Sequence, residues 1–185
     1  MTLTGATFVQ NDMKELQTCP LIPVSASGAD QADLLLAAWL QSAANTSAVQ
    51  QLSPATRQRL QVVVKLMLAE AGDVHVDYHD VWEVLAGAAA LQFGMATASG
   101  PTRANDAGHR VWNEATRVGD DTLRAHRILL VIRSGTETEL EMDELTQLIE
   151  YLTGQVDSQA DVVFGHSLAA ELGERIQVLL LLSRC

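Results

Sequence analysis

The sequence predicts an α+β fold, a four-stranded sheet with helices packed on one face, preceded by a long central helix. Three observations carry this. Leu60, Val63, Val64, Met67, Leu68 and Ala71 recur at helical spacing after Ser53-Pro54, an N-cap followed by a proline suited to the first turn. From residue 73 on, the pattern reads helix, strand, helix, strand, helix, strand, strand. The strands at 126–133 and 175–183 are strongly apolar and bounded by polar turns, as strands of a covered sheet are.

The elements follow in order. Thr2 to Gln10 holds one short strand, and Pro20 and Pro23 bracket an extended piece, because proline and the residue before it avoid the helix. A helix is predicted over 29–44, with Asp30 and Asp33 in its first turn, where the dipole favours acids. Its run from Leu34 to Leu40 is apolar almost all round, which calls for burial or for a partner across the face of Leu36, Trp39 and Leu40. The central helix ends near Gly72. A second helix covers about 80–90, with Val81, Val84, Leu85 and Ala88 as its buried face. Leu91 to Ala98 is a strand, and a polar helix follows over about 102–117. After the strand at 126–133, Leu145, Leu148, Ile149 and Leu152 mark a helix ending at Gly154. Strands at 160–166 and 175–183 close the chain. The expected organisation is an N-terminal extension with one apolar helix over 1–52, the central helix over 53–72, and a sheet domain over 73–185.

Composition narrows the function. The chain carries a formal charge of −11, has a pI of about 4.7, and is 48% hydrophobic but only 4% aromatic. The core is therefore mainly aliphatic, and the acidic surface argues against nucleic acid and anionic membranes as partners. Cys19 and Cys185 are too few for a disulfide framework or a zinc site. No signal-peptide pattern opens the chain, and its longest apolar stretches fall far short of the roughly 20 residues a span requires. A cytoplasmic protein is expected.

The chemistry concentrates in the loop His75-Val76-Asp77-Tyr78-His79-Asp80. Two carboxylates three residues apart at the mouth of a helix stay ionised near its dipole. They can orient a water or hold a cation. They can equally be a helix cap and nothing more. His75 and His79 with Asp77 and Asp80 form a conceivable ligand set for an independent metal-dependent enzyme, although no metal or cofactor is expected. These readings stay open on pattern alone.

His75 to Asp80 resembles the Asn-x-Asp-x-x-Asp loop that follows the central helix in the tubulin/FtsZ family, with histidine in place of the asparagine. Phe93 to Ala104, with Ala98-Ser99-Gly100, resembles that family's glycine-rich strand and the helix after it. Ile128 to Gly135, Asp161-Val162-Val163-Phe164-Gly165, Ser167-Leu168, Leu172-Gly173 and Arg175 to Val178 resemble its remaining strands and final hairpin, in the same order. The resemblance runs from about 73 to 183, and through the central helix back to 53. It implies the C-terminal domain of this family. The family's Gly-Gly-Gly-Thr-Gly-Thr-Gly phosphate loop has no counterpart, since Gly94 and Gly100 are the closest pair among 12 glycines. Its C-terminal tail peptide is not expected either.

The resemblance further implies a role. In the family one subunit holds GTP, and the next inserts its loop carboxylates beside the γ-phosphate. Asp77 and Asp80, with His75, would act in trans, and Val76, Tyr78 and His79 would line the contact. The expectation is an accessory or regulatory protein without its own nucleotide site, not an enzyme alone, docking on an FtsZ-type filament in bacterial cell division or the cytoskeleton. The alternative is a self-associating module whose interface is the helix bearing Leu36, Trp39 and Leu40.

Overall fold

The structure, a computed structural model, describes residues 19–23, 26–42, 47–69, 74–156 and 159–185. The strand expected at Thr2 to Gln10 and the helix stop at Gly72 lie outside them. In chain order the elements are α1 (Gly28–Ser42), α2 (Ser47–Gln50), α3 (Pro54–Met67), α4 (Tyr78–Leu85), β1 (Ala90–Ala98), α5 (Arg103–Asn113), β2 (Thr116–Val118), β3 (Ala125–Ser134), α6 (Met142–Thr153), β4 (Asp161–Leu168), a 3-10 turn (Ala170–Leu172) and β5 (Ile176–Arg184).

Local chemistry sets several of these bounds. Ser53 caps α3 by accepting the Thr56 amide hydrogen bond at 3.1 Å, which satisfies one of the helix's orphan donors. α4 starts at Tyr78 and stops at Leu85, earlier at both ends than the sequence suggests. Gly87 follows with φ of 76°, a conformation glycine adopts without the steric cost borne by other residues. The chain is thereby turned straight into β1.

The sheet has five strands in the order β2-β1-β5-β3-β4, with β3 and β4 parallel and every other pair antiparallel. The expected count was four. The extra strand is β2, which occupies the end of the helix expected over 102–117. α5 closes on its C-cap at Glu114, and Thr116 and Val118 pair with Phe93 and Leu91 instead. β-branched residues alternating across an arginine suit a pleated edge better than a last helical turn.

Helices cover both faces of this sheet rather than one. Ala96, Ile128, Leu130, Ile132, Val178, Leu180 and Leu182 pack under α5 and α6. Leu91, Phe93, Leu129, Val131, Leu179 and Leu181 pack under α1, α3 and α4. The central strand β5 is buried along both faces, and Val178 to Leu182 within it is an unbroken apolar run. That second covering layer is made by α3 and α4, which lie against β1, β3 and β5, and α1 packs on them by turning Ala32, Leu35, Leu36 and Trp39 inward at helical spacing. Among the described residues no helix is long and apolar enough to cross a membrane.

Candidate functional site

The loop between α3 and α4 is held from below by β4. The His166 amide donates to the Val74 carbonyl at 3.0 Å, forming an isolated antiparallel bridge. Val76 is buried, 4% exposed, and lies directly over Gly165. A Cβ at Gly165 would come within 2.6 Å of Val76 Cγ2 and 3.0 Å of the Val74 oxygen. Glycine in a strand interior commonly marks such a close approach.

The next residue, Asp77, is the N-cap of α4. Its Oδ1 accepts hydrogen bonds from the His79 amide at 2.8 Å and the Asp80 amide at 3.1 Å. Asp80 Oδ2 accepts from the Asp77 amide at 2.9 Å. This is a reciprocal capping box, so the capping role weighed from the pattern is realised. It does not consume the carboxylates. One oxygen of each lies outside the box, on an exposed Asp77 and a half-buried Asp80. Both sit in the first turn of α4, at its N-terminal end. α4 is in turn anchored by Val81, Trp82, Val84 and Leu85, all buried.

His75 and His79 are exposed, and Tyr78 is half-buried with its ring tilted over that of His79, centroids 4.3 Å apart. Among the described residues no three His, Cys, Asp or Glu side chains gather as a metal site. His75, Asp77, Tyr78, His79 and Asp80 thus form one surface patch, and Val76 beneath them does not join it. A valine between polar neighbours reads as exposed, and its contact comes from β4, far along the chain.

The proposed apolar interface on α1 is likewise internal. Trp39 is 0% and Leu36 6% exposed, and the Trp39 Nε1–H donates to the Leu85 carbonyl at 2.8 Å. Leu40 is half-buried, and the outward face carries Asp33 paired to Lys65 at 2.9 Å. This surface is spent on the chain's own α3 and α4.

Sequence reading missed a buried ion pair on the opposite face. Arg103 donates to both carboxylate oxygens of Glu144, at 2.7 and 2.8 Å, and to the carbonyls of Thr138, Glu139 and Glu174. It ties the start of α5 to that of α6. Its guanidinium, through these bonds, holds the Glu144 carboxyl below the usual carboxylate range, against a partial burial that pushes it up. Nothing in the local pattern around Arg103 announces partners so distant in the chain.

Comparison with known proteins gives a consistent family. A model of the FtsZ family, C-terminal domain, matches residues 87–184, a range that begins after α4 and so excludes the 75–80 loop. The cell division protein FtsZ of Porphyromonas gingivalis is 27% identical over 117 residues, covering 63% of this chain and 25% of its own length. The cell division protein FtsZ 1 of Pyrococcus woesei is 31% identical over 117 residues, covering 63% of this chain and 31% of its own. The chain therefore spans about a quarter to a third of the length of these curated relatives. Among solved structures, an empty FtsZ dimer from M. jannaschii shares the fold, with a TM-score of 0.58 at 17% identity, over 84% of this chain and 50% of that one.

Proposed function

Because the chain belongs to the FtsZ family through its C-terminal domain, we propose that it is an accessory of an FtsZ-type filament. It docks through the 75–80 loop on the nucleotide face of a neighbouring subunit and supplies Asp77 and Asp80 in trans. The partner holds GTP; this chain contributes carboxylates. The reading is carried by the capping box, which leaves one oxygen of each aspartate outside it at the protein surface. As carboxylates, these oxygens can polarise a water by their negative charge as well as orient it for in-line attack on the γ-phosphorus. Seated on a terminal pocket, the chain also competes with incoming subunits for that place, so it slows growth at that filament end.

The test mixes the chain with an FtsZ-type protein and measures sedimented polymer and released phosphate on the same samples. Asp77→Asn with Asp80→Asn is the informative pair, because asparagine caps a helix about as well as aspartate and keeps an acceptor oxygen. Alanines would unravel the start of α4 and confound the result. Wild type at substoichiometric ratio lowers polymer yield. The asparagine pair still lowers it, but any stimulated turnover drops on the order of a hundredfold. His79→Glu, on an exposed position, abolishes both effects. Val76→Lys is unsuitable, since it would bury a charge over Gly165. If wild type changes neither quantity at equimolar ratio, the proposal fails.

A further inference from the structure

We propose that β4 is the mount of the loop and that Gly165 is a positioning residue for Asp77 and Asp80. The inference rests on the trans-acting reading of those carboxylates and adds how they are aimed. β4 is rigidly held, since it pairs in register with β3 from Arg127↔Asp161 to Ser134↔Leu168. The loop touches it at two neighbouring points. One is the rung from the His166 amide to the Val74 carbonyl, 3.0 Å. The other is the Val76 side chain, which fills the space above Gly165 where any other residue would place its Cβ. Asp77 is one peptide bond further on, and its Oδ1 fixes the first turn of α4. The carboxylates therefore inherit their position from the sheet through a lever of two residues. A loop mounted in this way reaches its partner already shaped, and docking does not have to order it.

The geometry sets the size of a perturbation. A methyl group at Gly165 would stand 2.6 Å from Val76 Cγ2, whereas carbon atoms rest about 3.5–4.0 Å apart. Val76 must move by about 1 Å, and a misplacement of that size can cost about a hundredfold in a positioned reaction.

Gly165→Ala in the full chain tests this on two readouts. In the chain alone, amide exchange at His166, His79 and Asp80 is expected to rise about tenfold, while the Leu180 amide in β5 keeps its protection. With an FtsZ-type partner, phosphate release at saturating chain falls about a hundredfold, and the half-saturating concentration changes far less because His75 and His79 still dock. Adding Val76→Ala removes the Cγ2 contact, leaving only the Val74 oxygen at 3.0 Å to give by a few tenths of an ångström, and restores much of both readouts. A merely structural role would lower global stability, leave saturating turnover intact and show no rescue. Unchanged exchange at all three amides overturns the inference, and so does altered exchange with wild-type saturating turnover. Should wild type have no effect on the partner, the trans-acting reading falls, and exchange and its rescue by Val76→Ala still decide whether Gly165 positions the loop.

Discussion

Truncating Trp39 decides whether α1 belongs to the chain's interior or to an interface. Its indole is fully buried beside Ala32, Leu35 and Leu36, and its Nε1–H bonds the last carbonyl of α4 at 2.8 Å. Trp39→Ala removes the largest fully buried side chain among the described residues and that hydrogen bond together. Core Trp→Ala changes cost about 3–5 kcal/mol, against a whole stability of about 5–15 kcal/mol, so the expected loss is about a fifth of the total or more. Trp39→Phe keeps most of the volume and strips the donor. The Leu85 carbonyl keeps the Ala88 amide as a donor at 3.2 Å, so the expected cost is that of one hydrogen bond, about 0.5–1.5 kcal/mol. Urea denaturation followed by circular dichroism measures both, since Trp82 and Trp112 complicate fluorescence. The midpoint should fall with an unchanged slope, at every protein concentration alike. A Trp39→Ala loss below about 1 kcal/mol would refute the internal packing described here. A loss that shrinks as protein concentration rises would return α1 to the role of an interface.

Two further outcomes follow from the hydrogen bonds. Asp77→Ala dismantles the capping box and should lower stability by about 1 kcal/mol, whereas Asp77→Asn should cost only a few tenths; urea midpoints of the two variants compare them directly. Glu144 is held ionised by Arg103, so its folded pKa lies below its unfolded value of about 4.3. The stability it contributes is complete above that unfolded value and lost as pH falls through the folded one. The gap in unfolding free energy between wild type and Glu144→Gln should therefore be constant near neutrality and close in acid; a gap independent of pH contradicts the pairing.

Much of this was readable beforehand where local and global preferences agree. The α3 stripe of Leu60, Val63, Val64 and Met67 and its Ser53 cap are both present. β3 and β5 lie within a residue of their expected positions because both are apolar on two faces. What escaped depends on contacts between distant segments. β2 is too short for any period to show. The second helical layer follows from α3 and α4 lying on the face of the sheet opposite α5 and α6, and where α1 joins them depends on which way it points Trp39, which an almost uniformly apolar helix does not disclose. At the site, Asp77 and Asp80 were legible because a capping box is a local signature. Val76 was misassigned because its burial is decided by a missing side chain at Gly165. The one available signal was that glycine itself, directly after Val162, Val163 and Phe164 in the strand.

The strand that completes the sheet is the last to be made. β5 lies between β1 and β3 and supplies the pairing that joins them. Until residues 176–184 have left the ribosome, β1 and β3 have no common neighbour, and both carry leucines, isoleucines or phenylalanine on faces waiting to be covered. A nascent chain can form α3 and α4 and close the parallel β3–β4 pair around α6, but it holds an open slot one strand wide. That slot is a template for any extended apolar segment. Between the synthesis of β3 and that of β5 the nascent chain is thus exposed to wrong partners, and it depends on the speed with which Val178 to Leu182 arrives to fill the place.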